Sequence, residues 1–214
     1  MPLNILSPIA FSPEDLELLR GCGVTRTYPK YTILIHEGDL SDSLYIILSG
    51  KVKVYISDEG GKEVILRTQK AGEYFGELAL LDKGPRSASV MTLDKSRLSV
   101  VSKTIFNRCL TEHPDFALKL LCALTQRVRS LTENVKNLAL LDVYGRVART
   151  LLDLAIEKGG KLIIEERPTH QEIAQRVGAS REMVSRIMGD LATGGYIEVT
   201  SKTIIIPHRL PSAW

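Results

Sequence analysis

Cysteine is scarce: Cys22, Cys109 and Cys122 are the only three among 214 residues, and they lie far apart. Such an odd, scattered set provides neither a disulfide framework nor a CxxC-type metal site, and it suits reduced thiols. The four histidines, His36, His113, His170 and His208, are equally dispersed, with no HExxH spacing. The chain also lacks a nucleophile elbow and a Walker-type loop, so no catalytic residue and no metal ligand is assigned and an enzyme is not expected. No apolar run approaches the ~18 residues of a membrane-spanning helix. The first residues, MPLNILSPIAFSPEDLELL, carry no basic leader followed by an apolar core, and a cytoplasmic protein with no membrane partner is expected. A charge excess is missing too. With 28 basic and 25 acidic side chains the formal net charge is +3. Neither part departs from this balance, with 18 basic against 16 acidic side chains over 1–141 and 10 against 9 over 142–214. Any nucleic-acid partner must therefore be recognised through local placement of charge rather than bulk attraction.

The chain does have a composition able to fold. At 44% hydrophobic and 25% charged residues it can bury one large core or two small ones. Residues 12–22 suit a short capped helix. From about 30 to 101 short β-like runs (YTILIH, SLYIIL, KVKVYI, EVILRT, ASVMTL, RLSVVS) alternate with turn signals such as DEGG and KAGE. The gaps are too short for helical crossovers, which predicts an antiparallel β-roll or barrel. Residues 115–141 contain neither Gly nor Pro. Within them Leu121, Leu124, Val128, Leu131, Val135 and Leu138 alternate at spacings of three and four, an a/d seam with Leu at d. This pattern favours a parallel two-stranded homodimer over packing within the chain. Residues 142–158 read as a further helix, capped by Asp142 and stopped by Gly159-Gly160, followed by a short strand in LIIEERP.

Two constellations carry function. In the first, Thr169 caps a helix over 170–176 with Glu172 completing a capping box, Gly178 makes the turn, and Ser180 caps a second helix over 181–192. This is a helix-turn-helix, and the alternating tail YIEVTSKTIII forms a wing beside it. The second helix sets Arg181, Glu182, Ser185 and Arg186 in its first two turns, whereas Val184, Ile187 and Leu191 fall on another face and pack on Ile173 and Val177. Arg suits guanine O6 and N7, and Glu suits cytosine N4, so this helix is expected to read base edges in the major groove. Thr169, His170 and Gln171 open the preceding helix, where amides and polar side chains suit a DNA phosphate. In the second constellation, GELALLDKGPRSAS over 76–89, a helical turn after Gly76 presents amides to an anion. Arg86 and Ser87 can add a guanidinium and a hydroxyl to the same phosphate, and Glu77 can accept from a ribose hydroxyl. Phosphate plus sugar points to a nucleotide. The alternative for these residues is a structural Arg86–Glu77 ion pair.

The order of β-roll, GELALLDKGPRSAS, seam helix, LDVYGRVARTLL and VGASREMVSRIM resembles the cAMP receptor protein/FNR family over essentially the whole chain. The resemblance implies an α+β architecture: a cyclic-nucleotide-binding β-roll over 1–114, a dimerisation helix over 115–141 and a winged helix-turn-helix over 142–214. It implies a bacterial transcription regulator whose effector is a cyclic nucleotide, with cAMP first, cyclic di-GMP or no effector as alternatives, and no other cofactor. Gly76 and Glu77 then hold the ribose side, Arg86 and Ser87 the cyclic phosphate, Leu78 belongs to the same ligand site, and Arg127 from the long helix supplies a further arginine. Where cAMP-binding members place a Thr–Ser pair against the purine, this sequence has Leu131-Thr132. Leu131 offers no hydrogen bond, and Thr132 retains the cross-subunit position. A single Cys22 is not the N-terminal cluster of the iron–sulfur members. Arg181, Glu182 and Arg186 align with base-reading positions, implying a TGTGA-like half-site in a pseudo-palindromic operator. RNA polymerase is the implied protein partner, and a hinge near 137–143 is expected to move the DNA-binding part. The rival from another class is a regulatory subunit acting through protein contacts, which would leave the helix-turn-helix without a role.

Overall fold

The computed structural model describes residues 23–208 and 210. The helix expected over 12–22, with Cys22, lies outside the described residues. The chain divides into two compact units, Met1–Ser130 and Leu131–Trp214.

The first unit holds eight described strands: β1 (Val24–Tyr28), β2 (Ile33–Ile35), β3 (Ser43–Ser49), β4 (Lys51–Ser57), β5 (Glu63–Lys70), β6 (Tyr74–Phe75), β7 (Ser89–Thr92) and β8 (Ser96–Ser102). They form two four-stranded sheets, in the orders β1-β8-β3-β6 and β2-β7-β4-β5. Every pairing between them is antiparallel, as the short turns require. Leu98, Ile47, Val52, Val54, Phe75 and Val90 from both sheets fill the interior. A β-bulge interrupts β5: Val54 pairs with Arg67 while the next residue, Tyr55, pairs with Ile65. Leu66 is the extra residue, and the bulge brings Arg67 and Gln69 opposite the core residues Val54 and Val52.

Among the described residues three helices join these sheets: α1 (Glu77–Asp82), α2 (Lys103–Glu112) and α3 (Pro114–Leu140), which runs on into the second unit. Ser102 caps α2 by accepting from the Ile105 N–H. Phe116, Leu120 and Ala123, spaced by four and three, are buried on α3 against Leu44, Ile46, Tyr74, Leu80, Val101 and Phe106. Arg127, four residues further, continues that face.

In the second unit α4 (Val143–Leu154) starts at Asp142, whose carboxylate accepts from the Gly145 N–H at 2.7 Å. The helix is shorter than the sequence predicts. Residues 156–158 leave it as β9 (Ile156–Lys158) and pair with β10 (Lys161–Ile164). Gly159 and Gly160 adopt φ of 60° and 76°, the left-handed pair that a two-residue hairpin turn demands, so they close a hairpin rather than merely stop a helix. Then come α5 (His170–Val177), α6 (Arg181–Thr193), β11 (Glu198–Val199) and β12 (Ile204–Ile206), the strands joining β9 and β10 in a sheet ordered β11-β12-β10-β9. The wing is therefore one edge of a four-stranded sheet. Thr169 and Glu172 make the full capping box, and Ser180 accepts from the Met183 N–H at 3.2 Å. Val147, Leu151, Ile173, Val177, Val184, Leu191 and Ile204 form the core that seats the two helices.

Candidate ligand site and nucleic-acid interface

Gly76 ends β6 and begins α1 with φ 88°. A side chain there is excluded twice, by that left-handed backbone and by crowding, since a Cβ would lie 2.6 Å from Arg86 Nη1 and 3.0 Å from the Ser43 carbonyl oxygen. Arg86 is 3% exposed and spends most of its donors on the protein. Nη1 donates to the Gly76 carbonyl, and Nη2 donates to Ser41 Oγ at 2.8 Å and to the Ser43 carbonyl. Only its Nε–H is buried without an acceptor. Burial lowers the guanidinium pKa, and Tyr45, Asp42 and Asp39 act against that.

Glu77 opens α1 and is 1% exposed. It is not paired with Arg86, so the structural ion pair that the sequence left open does not form. Its Oε1 instead accepts from Arg127 Nη1, while Oε2 is buried with no partner. Arg127 also donates to the Tyr74 carbonyl at 3.1 Å and lies 4.9 Å over the Tyr74 ring. Desolvation, reinforced by the nearby Arg67 cation, lowers its pKa to about 10. One buried carboxylate thereby ties the roll to the face of α3 that packs on it.

A cavity of about 40 Å³ lies among Gly76, Glu77, Leu78, Arg86 and Ser87, with Ile35, Val54, Phe75 and Val90 as its apolar wall. Ser87 and Leu78 are exposed at its mouth. Leu131 and Thr132, the two residues expected near the base, are exposed on α3 and are not among the lining residues. Arg67 is, although nothing in its local sequence singles it out. Its Nε–H is a further buried donor without an acceptor.

On α6, Arg181, Glu182, Ser185 and Arg186 are exposed while Val184, Ile187, Met188 and Leu191 are buried, which is the division the 3.6-residue period predicts. Arg186 Nη2 rests 2.9 Å from Met183 Sδ. A cleft of about 530 Å³ opens among Thr169, His170, Gln171, Arg181, Arg167, Pro168 and Ser201. The sequence reading missed Arg167, which donates to the Thr200 carbonyl at 3.0 Å and through its backbone to the Lys202 carbonyl. Its cation, with that of Arg181, helps burial lower the His170 pKa below 6.5. Ser180 caps α6 from an exposed position.

Along α3 the expected seam splits. Leu124 is half-buried against the roll core, whereas Leu121, Val128, Leu131, Val135 and Leu138 are 50–65% exposed. A row of five large aliphatic side chains in water is uncommon on a monomer's surface.

Residues 25–113 match the cyclic nucleotide-binding domain, and residues 145–210 match the Crp-like helix-turn-helix domain. The chain is 38% identical to the cAMP-activated global transcriptional regulator CRP of Escherichia coli O6:H1, over 84% of this chain and 87% of that one. It is 36% identical to a CRP-like cAMP-activated global transcriptional regulator of Mycobacterium tuberculosis, over 84% and 82% of the two chains. The chain belongs to the CRP/FNR family. Among solved structures, the c-di-GMP responsive global regulator CLP of Xanthomonas campestris superposes with a TM-score of 0.76 at 28% identity, covering 90% of this chain and 98% of that one. As a CRP/FNR-family transcription regulator, the chain carries its cyclic nucleotide-binding domain on the roll and its DNA-binding domain over residues 145–210, which include α5 and α6. No helix among the described residues is long and apolar enough to cross a membrane.

Proposed function

We propose that this regulator binds a cyclic nucleotide in the roll cavity and, as a homodimer, a pseudo-palindromic operator through α6, the first controlling the second. Two residues that line one cavity, each with a buried polar atom lacking a partner, carry this reading: Arg86, whose Nε–H needs an acceptor, and Glu77, whose Oε2 needs a donor. A cyclic phosphate satisfies the arginine and a ribose hydroxyl satisfies the carboxylate. Ser87 adds a hydroxyl to the phosphate, and Gly76 and Leu78 shape the ribose end. About 40 Å³ is far below the ~300 Å³ at which ordinary ligand sites begin, so nucleotide binding displaces the cavity walls. Glu77 is the lining residue that Arg127 ties to the long helix, and rearrangement of that pair is the route from ligand to seam. The relatives named as cAMP-activated make cAMP the first effector to test. Cyclic di-GMP is the second reading, favoured by the likeness to the c-di-GMP responsive regulator and by Leu131 in place of a hydrogen-bonding residue.

In this scheme residues 1–114 bind the effector, 115–141 dimerise, and 142–214 bind DNA. Leu121, Leu124, Val128, Leu131, Val135 and Leu138 form the seam, with Thr132 beside it. Arg181, Glu182, Ser185 and Arg186 read bases of a TGTGA-like half-site while Ser180, Thr169, His170 and Gln171 hold phosphates. The two half-sites sit one helical turn, ~34 Å, apart. RNA polymerase is the protein partner at the promoter, and the cytoplasm is the place of action. Operator affinity measured by fluorescence anisotropy, with and without cAMP, cGMP or cyclic di-GMP, tests the coupling. A ligand that strengthens DNA binding must itself bind more tightly to the DNA complex. Unchanged affinity at saturating concentrations of all three would overturn the allosteric reading.

A further inference from the structure

The Tyr74 carbonyl is a junction between the roll and the long helix. β6 is the edge strand of its sheet, and two side chains donate to this carbonyl: Gln69 Nε2 from β5 at 2.7 Å and Arg127 Nη2 from α3 at 3.1 Å. Gln69 is 3% exposed and, beyond the bulge at Leu66, pairs with the core residue Val52. It is not among the residues lining the cavity. Its own Oε1 is buried with no partner. A glutamine buried at that cost is kept for its donor, because an apolar side chain would fill the same space without an orphaned acceptor. The donor goes to the oxygen that Arg127 also uses, while Arg127 Nη1 holds Glu77.

We infer that Gln69 is a positioning residue of the ligand response, keeping the Tyr74 carbonyl satisfied when Arg127 lets go. The inference rests on the reading above, in which the Glu77–Arg127 pair rearranges as a nucleotide binds. With Gln69 in place, Arg127 can leave the carbonyl and one side-chain donor stays. Without it, the same departure strips a buried carbonyl of both side-chain donors, a loss of about tenfold or more in an equilibrium constant. Gln69 does not touch the ligand in this scheme. It sets how readily the arginine is released, and so the fraction of molecules competent to bind.

The test is a double-mutant cycle on the full-length protein, with cAMP binding read by calorimetry in the unaltered chain, Gln69→Met, Arg127→Met and the two combined. Methionine is close to glutamine in length and removes the orphaned Oε1 together with the donor, so Gln69→Met should fold, and thermal unfolding checks every variant. Gln69→Met should raise the Kd for cAMP about tenfold while Arg127 is present. In the Arg127→Met background, with no arginine to release, the same substitution should change Kd by less than about twofold. Operator affinity at saturating cAMP should match that of the unaltered chain, since excess ligand fills the released state in both. An unchanged Kd in Gln69→Met overturns the inference. Equal weakening in both backgrounds overturns it too, marking Gln69 as a support of the cavity wall. If Arg127→Met does not fold, the operator measurement decides, and a loss of DNA affinity that persists at saturating cAMP overturns the inference. Cyclic di-GMP replaces cAMP throughout if it is the nucleotide that the unaltered chain binds. Failure of the unaltered chain to bind cAMP, cGMP or cyclic di-GMP overturns the inference and the cyclic-nucleotide reading together.

Discussion

Replacing Arg127 with Met tests whether the Glu77–Arg127 pair holds α3 to the roll. Glu77 is 1% exposed and its Oε2 already lacks a partner, so removal of Arg127 leaves a buried carboxylate with neither oxygen satisfied. Removing one member of a buried ion pair costs about 3–5 kcal/mol. The lost stacking on Tyr74 and the lost bond to its carbonyl act in the same direction. For a unit the size of Met1–Ser130, about 3 kcal/mol lowers the unfolding midpoint by roughly 10 °C. The double substitution Glu77→Gln with Arg127→Met removes the orphaned charge along with its partner. It should recover about 2 kcal/mol relative to Arg127→Met, because a neutral amide is cheaper to bury than a carboxylate. Urea denaturation followed by circular dichroism reads both variants. An Arg127→Met protein within about 0.5 kcal/mol of the original, or no recovery in the double variant, would refute the reasoning.

Other expected outcomes concern the seam and the DNA face. Val135→Lys with Leu138→Lys places charges on the exposed stripe of α3 and should convert a dimer into a monomer by sedimentation equilibrium; an unaltered dimer would place the interface elsewhere. Arg181→Ala should cost ~1–3 kcal/mol of discrimination at one base pair, read by binding to operators varied at single positions. Equal loss on every sequence would mark Arg181 as a phosphate contact. Burial, Arg167 and Arg181 hold the His170 pKa below 6.5 in the folded chain, and a DNA phosphate in that cleft favours the cation. Operator affinity should therefore rise as pH falls from about 7.5 to 5.5, by at most about tenfold per pH unit per subunit, and Arg167 and Arg181 keep most of the response below 6.5. Folding stability responds with the opposite sign. The unfolded chain binds the proton more readily, so this contribution is present above 6.5 and is lost as pH falls through the lowered folded value. Anisotropy titrations with Arg167 and Arg181 intact should show both the slope and its loss in His170→Gln; a slope unaffected by that substitution refutes the assignment.

Local chemistry made much of the molecule legible. Asp142, Thr169 with Glu172, Gly178 and Ser180 mark helix ends because their side chains or left-handed backbones satisfy groups only a few residues away. The buried and exposed faces of α6 follow from a period that belongs to the helix itself. The strand at 156–158 is hidden in the sequence because an isolated segment of helix-forming residues does not reveal that Lys161–Ile164 will pair with it. Five residues of the stripe on α3 are exposed, but Leu124 serves the roll core, since one helix must satisfy two surfaces.

Short-range spacing and turn chemistry encode the antiparallel roll, the long helix, the capped helix-turn-helix, and the grouping of Gly76, Glu77, Arg86 and Ser87 around one cavity. The partners of the buried charges arise only once the chain is folded. Arg86 meets the Ser43 carbonyl and Ser41 across more than forty residues of chain, Arg127 meets Glu77 across fifty, and the bulge at Leu66 turns Arg67 into the cavity. A buried charge takes whichever partner the packed sheets and helix bring within reach, and that proximity is written in strand register rather than in neighbouring residues.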